Sequence, residues 1–218
     1  MLGLCLVAGM AGPALAHPHV FIDTGLEIAF DEQGRAAVVQ VVWVYDEFYS
    51  MMAIADYGFD ADFTGSLTEA ERAELTAIYS NWQPGYAGDL YPEQGGAPLD
   101  LSAPFDFLAD YSEGRIIITH RRSLAEPVRL DEIPLVLKVY DPSYYTAYTI
   151  AAAPQLSGGA TCEARVLRPD FSYAEEQLQS ALDELMGSSE MAFDLEYDFP
   201  AIGADFAEEV QVTCAAPS

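Results

Sequence analysis

The 218-residue chain carries 35 acidic residues against 9 basic ones, with Lys138 the only lysine, for a formal net charge of −26. Such a balance argues against nucleic acid and against anionic membrane surfaces as partners, since both would repel it. Apolar residues make up 51% of the chain, enough to build the core of one domain, with or without an insertion.

Residues 1–16 are apolar, rich in small side chains, and end Ala14-Leu15-Ala16, the pattern of a signal-peptidase site. The stretch is too short to span a bilayer, and no later segment is long and apolar enough to do so. The expected mature protein is exported to the periplasm, begins at His17 and has no membrane span. Cys5 would leave with the signal, and Cys162 and Cys214 would remain in an oxidising compartment, which predicts a disulfide between them.

The mature chain opens His17-Pro18-His19. Residues 19–30 then alternate, with Val20, Ile22, Leu26, Ile28 and Phe30 on one face, which predicts a half-buried strand. A turn over 31–34 leads into 37–45, β-branched and apolar on both faces, which predicts a central strand in a hairpin with the first. Asp46-Glu47 follows at a strand-to-helix junction, where an acidic residue caps a helix.

Residues 60–71 fit the calcium loop of an EF-hand. Asp60, Asp62 and Thr64 stand at loop positions 1, 3 and 5. Gly65 stands at the sharp turn, Ser66 offers its carbonyl, Thr68 holds a water and Glu71 closes the loop as bidentate ligand. Apolar residues recur at helical spacing before the loop (Phe48, Met52, Ala55, Phe59) and after it (Leu75, Ile78, Trp82). A helix–loop–helix insertion over about 46–82 with a structural Ca2+ is therefore expected.

Residues 85–98 read as loop with one short strand. Strands are expected at 103–109, 115–121, 134–140, 144–151, 161–167 and 208–214, and a helix from Ser172, capped through Glu175 and stopped at Gly187. The expected fold class is mainly β (α+β): over 17–218, a single β-sandwich domain with an EF-hand-like insertion and one further helix.

No G-x-S-x-G, Cys–His pair, HExxH or phosphate loop is present, so no enzyme is expected. The chain has 3 histidines, and two stand at the expected mature terminus. Cleavage after Ala16 would give His17 a free α-amine beside its imidazole, and His19, two residues on in an extended chain, faces the same side. Imidazole suits zinc, copper and nickel. His17 and His19, with further ligands from His120, Asp23 or Glu27, form the candidate transition-metal site.

His-Pro-His-Val-Phe-Ile-Asp at 17–23, Trp-Val-Tyr-Asp-Glu-Phe-Tyr-Ser at 43–50, the acidic loop at Asp60 and Asp-Pro-Ser-Tyr-Tyr at 141–145 together resemble a family of exported bacterial proteins of unknown function. Its members are labelled periplasmic components of an uncharacterised ABC-type transport system and are often encoded beside nickel/cobalt-type permeases. The resemblance implies an accessory protein that binds a divalent transition metal (zinc, nickel, cobalt or copper) in support of transport, with an inner-membrane metal permease as partner. The alternatives are a non-catalytic interaction module docking on a membrane transporter, and a histidine-brace copper oxidase.

Overall fold

A computed structural model describes residues 17–130, 132–159, 161–188 and 199–215. The expected signal peptide, residues 1–16, lies outside the described residues. The described residues are mainly β, with two sheets and three α-helices among them.

The first hairpin pairs β1 (Val20–Phe30) with β2 (Ala36–Tyr45), Leu26 opposite Val41 and Thr24 opposite Trp43. Asp31 closes its turn, accepting hydrogen bonds from the amides of Gln33 and Arg35 and pairing with the Arg35 guanidinium. Helix α1 (Glu47–Tyr57) follows directly and α2 (Glu69–Ser80) comes after the 58–68 loop. Then come β3 (Leu90–Gln94), the short β4 (Ala97–Pro98), β5 (Phe105–Ser112), β6 (Arg115–Val128), β7 (Leu135–Val139), β8 (Thr146–Ile150), β9 (Gln155–Ser157), β10 (Cys162–Leu167), α3 (Phe171–Ser188) and β11 (Glu209–Cys214).

One sheet runs β5-β6-β2-β1-β8, with β9 pairing farther along the same edge of β1; the other runs β10-β11-β7-β3-β4. Strand β2 is central, as its apolar composition requires. Strands β8 and β9 lie parallel to β1, a long-range pairing that local patterns do not announce. Leu26, Ile28, Val41 and Trp43 of the first sheet and Leu135, Leu137, Val210 and Val212 of the second belong to one apolar cluster. The two sheets thus share a core, and burial of that apolar area is the main favourable term in folding.

Both helices after β2 are fastened to the first sheet. The Ile116 amide donates to the fully buried Ser50 Oγ of α1 at 2.9 Å. Arg72 of α2 pairs with Asp110 at 2.8 Å, and the Ala109 amide donates to Thr76 Oγ1 at 3.0 Å. Helix α3 begins one residue before the expected Ser172, because Asp170 supplies the cap: its Oδ1 accepts from the amides of Ser172 and Tyr173. Cys162 stands opposite Cys214 in the antiparallel β10–β11 register, and the two are bonded.

Candidate functional site

The head of β1 is held from two sides. The amides of His19 and Val20 both donate to the Tyr145 carbonyl, at 2.8 and 3.2 Å. One residue on, the Phe21 amide donates to Asp46 Oδ2 at 3.0 Å, while Asp46 Oδ1 caps α1 by accepting from the Tyr49 amide at 2.8 Å. One carboxylate therefore ties the start of the first strand to the start of the first helix. Tyr145 is fixed in turn by Asp141, which closes its own loop by accepting from the Ser143 amide and hydroxyl and from the Thr146 amide.

This scaffold places His17 and His19 side by side, ring centroids 4.9 Å apart. The His17 ring stacks on Phe199 at 3.9 Å and the His19 ring lies 4.8 Å from Tyr145. His19 and Tyr145 line a cleft of about 410 Å3, whose other residues include Met52, Asp56 and Tyr57 of α1. Imidazole, carboxylate and thioether donors thus border one open space, a set that suits a borderline or soft transition metal. Among the described residues no three His, Cys, Asp or Glu side chains converge, so the two imidazoles stand without a third such side chain beside them.

His120 does not join it. It pairs in register with Val41, which pairs with Leu26, and Leu26 stands seven residues beyond His19. At ~3.3 Å per residue this is roughly 23 Å along the strand. The ring is fully buried among Trp43, Trp82 and Phe107, with centroids 4.8, 5.2 and 5.5 Å away. Neither ring nitrogen has a hydrogen-bond partner. Burial, helped by the nearby Arg122 charge, pushes its pKa down to about 4, so it is a neutral core imidazole. Asp23 is also apart from the pair. Its carboxylate accepts from Arg115 at 2.9 Å, and that guanidinium also donates to the carbonyls of Tyr45 and Val44.

The expected calcium loop lies between α1 and α2. Gly65 takes the left-handed conformation, φ 74°, that its position requires, and Phe59 and Leu67 are buried at the two ends of the loop. Asp60 Oδ1 accepts from the amides of Thr64 and Gly65. Glu71 is engaged in capping α2: Oε2 accepts from the Thr68 hydroxyl at 2.6 Å and amide at 2.8 Å, and Oε1 from the Asp60 amide at 3.1 Å. The Thr68 hydroxyl and amide hold its carboxyl below the usual range. Asp60, Asp62 and Glu71 therefore share one loop, with Thr64, Ser66 and Thr68 between them, but do not converge as a ligand cage.

Sequence reasoning missed Asp46, Met52, Asp56 and Tyr145 as neighbours of the histidines. It also missed a buried carboxylate, Asp89, whose Oδ2 accepts the hydroxyls of Tyr86 at 2.8 Å and Tyr148 at 2.6 Å. One aspartate among 35 acidic residues gives no local signal. The signal that did exist was the 141–145 motif, whose Tyr145 meets the histidines and whose Asp141 borders the Asp89 cleft.

The chain belongs to the family described as a protein of unknown function (DUF1007), whose model matches residues 2–214. It is similar to an uncharacterized protein of Haemophilus influenzae, 24% identical over 219 residues that cover 98% of this chain and 97% of that one.

Proposed function

We propose that this is an exported accessory protein that holds a divalent transition metal, zinc, nickel, cobalt or copper, at His17 and His19 in support of metal transport. The observation that carries the reading is the juxtaposition of the two imidazoles, 4.9 Å apart, at a strand end pinned to Tyr145 and beside a donor-lined cleft. The α-amine created by cleavage after Ala16 would add a third nitrogen, and Asp56 and Met52 border the same cleft as His19. A calcium ion in the 60–71 loop gives structural support, with Glu71 turning from its cap to the ion.

The reading is tested by titrating zinc, nickel and copper into protein beginning at His17. The His17→Ala/His19→Ala double variant should bind at least tenfold more weakly, and a retained methionine before His17 should weaken binding by displacing the amine. Equal affinity in wild type and double variant would overturn the site. Binding should weaken as pH falls, because ligating imidazoles must be neutral.

The partner reading is an inner-membrane metal permease. Phe48, which lines the cleft, and Met51, three residues on in α1, are 67% and 57% exposed, an apolar surface of the kind that marks interaction sites.

A further inference from the structure

A second cleft, of about 440 Å3, is bordered by Tyr86, Asp89, Tyr91 and Asp141. Asp89 is only 7% exposed. Its Oδ2 takes both tyrosine hydroxyls, and among the described residues no donor reaches Oδ1. No Lys, Arg or His among them forms an ion pair with it; its charged neighbour is a second carboxylate, Asp141. Arg122, a buried cation of this part of the core, donates to the carbonyls of Ser102 and Ala87, lies over the Trp82 ring and forms no ion pair with Asp89.

The fold holds this carboxylate in place at some cost. Asp89 adopts a left-handed conformation, φ 48°, rare for a non-glycine residue. Gly88 before it has φ 68°, and a Cβ there would lie 2.4 Å from the Trp82 ring. The Tyr86 ring packs edge-on against Trp82 at 5.1 Å, and the Tyr140 amide donates to the Asp89 carbonyl at 3.0 Å. Burying a charge that lacks a counter-charge is unfavourable. Burial pushes the Asp89 pKa up to about 6, which leaves it mostly ionised at neutral pH.

We propose that this cleft binds a small organic cation, an amine in its ammonium form, with the charge against Asp89 and Asp141 and the carbon body against Tyr86 and Tyr91. The ammonium supplies the positive charge that the site lacks. Tyr91 is held rigid by stacking on Tyr140 at 4.1 Å, and tyrosine rings attract organic cations through their faces. The volume falls within the range of small-molecule sites. A metal ion would meet two carboxylates and no third acidic or imidazole ligand. This inference is independent of the histidine pair.

The test is calorimetric titration of the mature chain with choline, butylammonium and 1,4-diaminobutane, with magnesium and calcium chloride in parallel. At least one ammonium probe should bind saturably in the millimolar range or tighter. Asp89→Asn should weaken it at least tenfold. Because Asp89 also holds two hydroxyls, Tyr91→Leu serves as the second variant; it keeps an apolar wall and should weaken binding several-fold while the protein still unfolds in one cooperative transition. Three results would overturn the proposal. They are no saturable binding of any ammonium probe, binding unchanged in Tyr91→Leu, or a divalent ion bound at the cleft in preference to every amine.

Discussion

At position 120 an imidazole occupies a box of aromatic rings that would suit a phenyl side chain. Its two nitrogens are buried without partners, and its pKa of about 4 lies below the ordinary 6.5. As pH falls below 6.5 the unfolded chain takes up a proton that the folded one refuses, so this residue costs stability progressively until about pH 4. Asp89 acts with the opposite sign. Its folded pKa of about 6 exceeds the ordinary 3.8, so the stability it withholds above pH 6 returns as pH falls toward 4. The two contributions offset each other in the wild type. His120→Phe should therefore stabilise more at pH 5 than at pH 8, by roughly 2 kcal/mol; equal shifts in chemical denaturation at the two pH values would contradict this. The buried place of His120 was readable from alternation, since Ile116, Ile118 and His120 share one strand face. Its scarcity as one of 3 histidines drew it into the ligand set instead.

At the scale of the element, the hairpin, the two helices after it and most later strands follow from period and turn chemistry alone. The expected strand at 115–121 extends to Val128 because a register shift lets its second half pair with the start of β2, which no local pattern encodes. The 58–68 loop shows the same limit. Its residue types and glycine were legible, while the use of both Glu71 oxygens in the Thr68 capping box was not. Asp62 is the clean probe of calcium there, because among the described residues its side chain makes no hydrogen bond, whereas Glu71→Gln would also disturb the cap. Asp62→Asn should leave the calcium-free melting temperature unchanged and reduce the rise produced by millimolar calcium. No rise in the wild type on adding calcium would contradict calcium binding. The 141–145 loop borders both clefts, and Gly203 packs against it so closely that a Cβ would lie 1.8 Å from the Asp141 carbonyl oxygen. Gly203→Ala should therefore displace the loop and weaken metal binding at the histidines. Unchanged binding in a folded variant would separate the loop from the site.

Across the whole molecule, 35 acidic residues against 9 basic ones give a net charge of −26, a sign unfavourable for association with anionic lipid or nucleic acid. The disulfide joins residues 52 apart in sequence. Closing a loop of that size should stabilise the fold by roughly 4 kcal/mol in the chain-entropy model. Reduction should lower the denaturation midpoint accordingly, and an unchanged midpoint with two titratable thiols would contradict it. The proposed metal site rests on two imidazoles and not three, because strand register carries His120 about 23 Å along the sheet from the terminus, while Tyr145 and Asp46 fix the head of β1 that carries His19. X-ray absorption of zinc-loaded protein beginning at His17 measures this most directly. The expected result is scattering from two imidazole ligands at zinc–nitrogen distances of about 2.0 Å, lost in the His17→Ala/His19→Ala variant and unchanged in His120→Phe. Zinc without imidazole scattering, or imidazole scattering that the double variant retains, would contradict it.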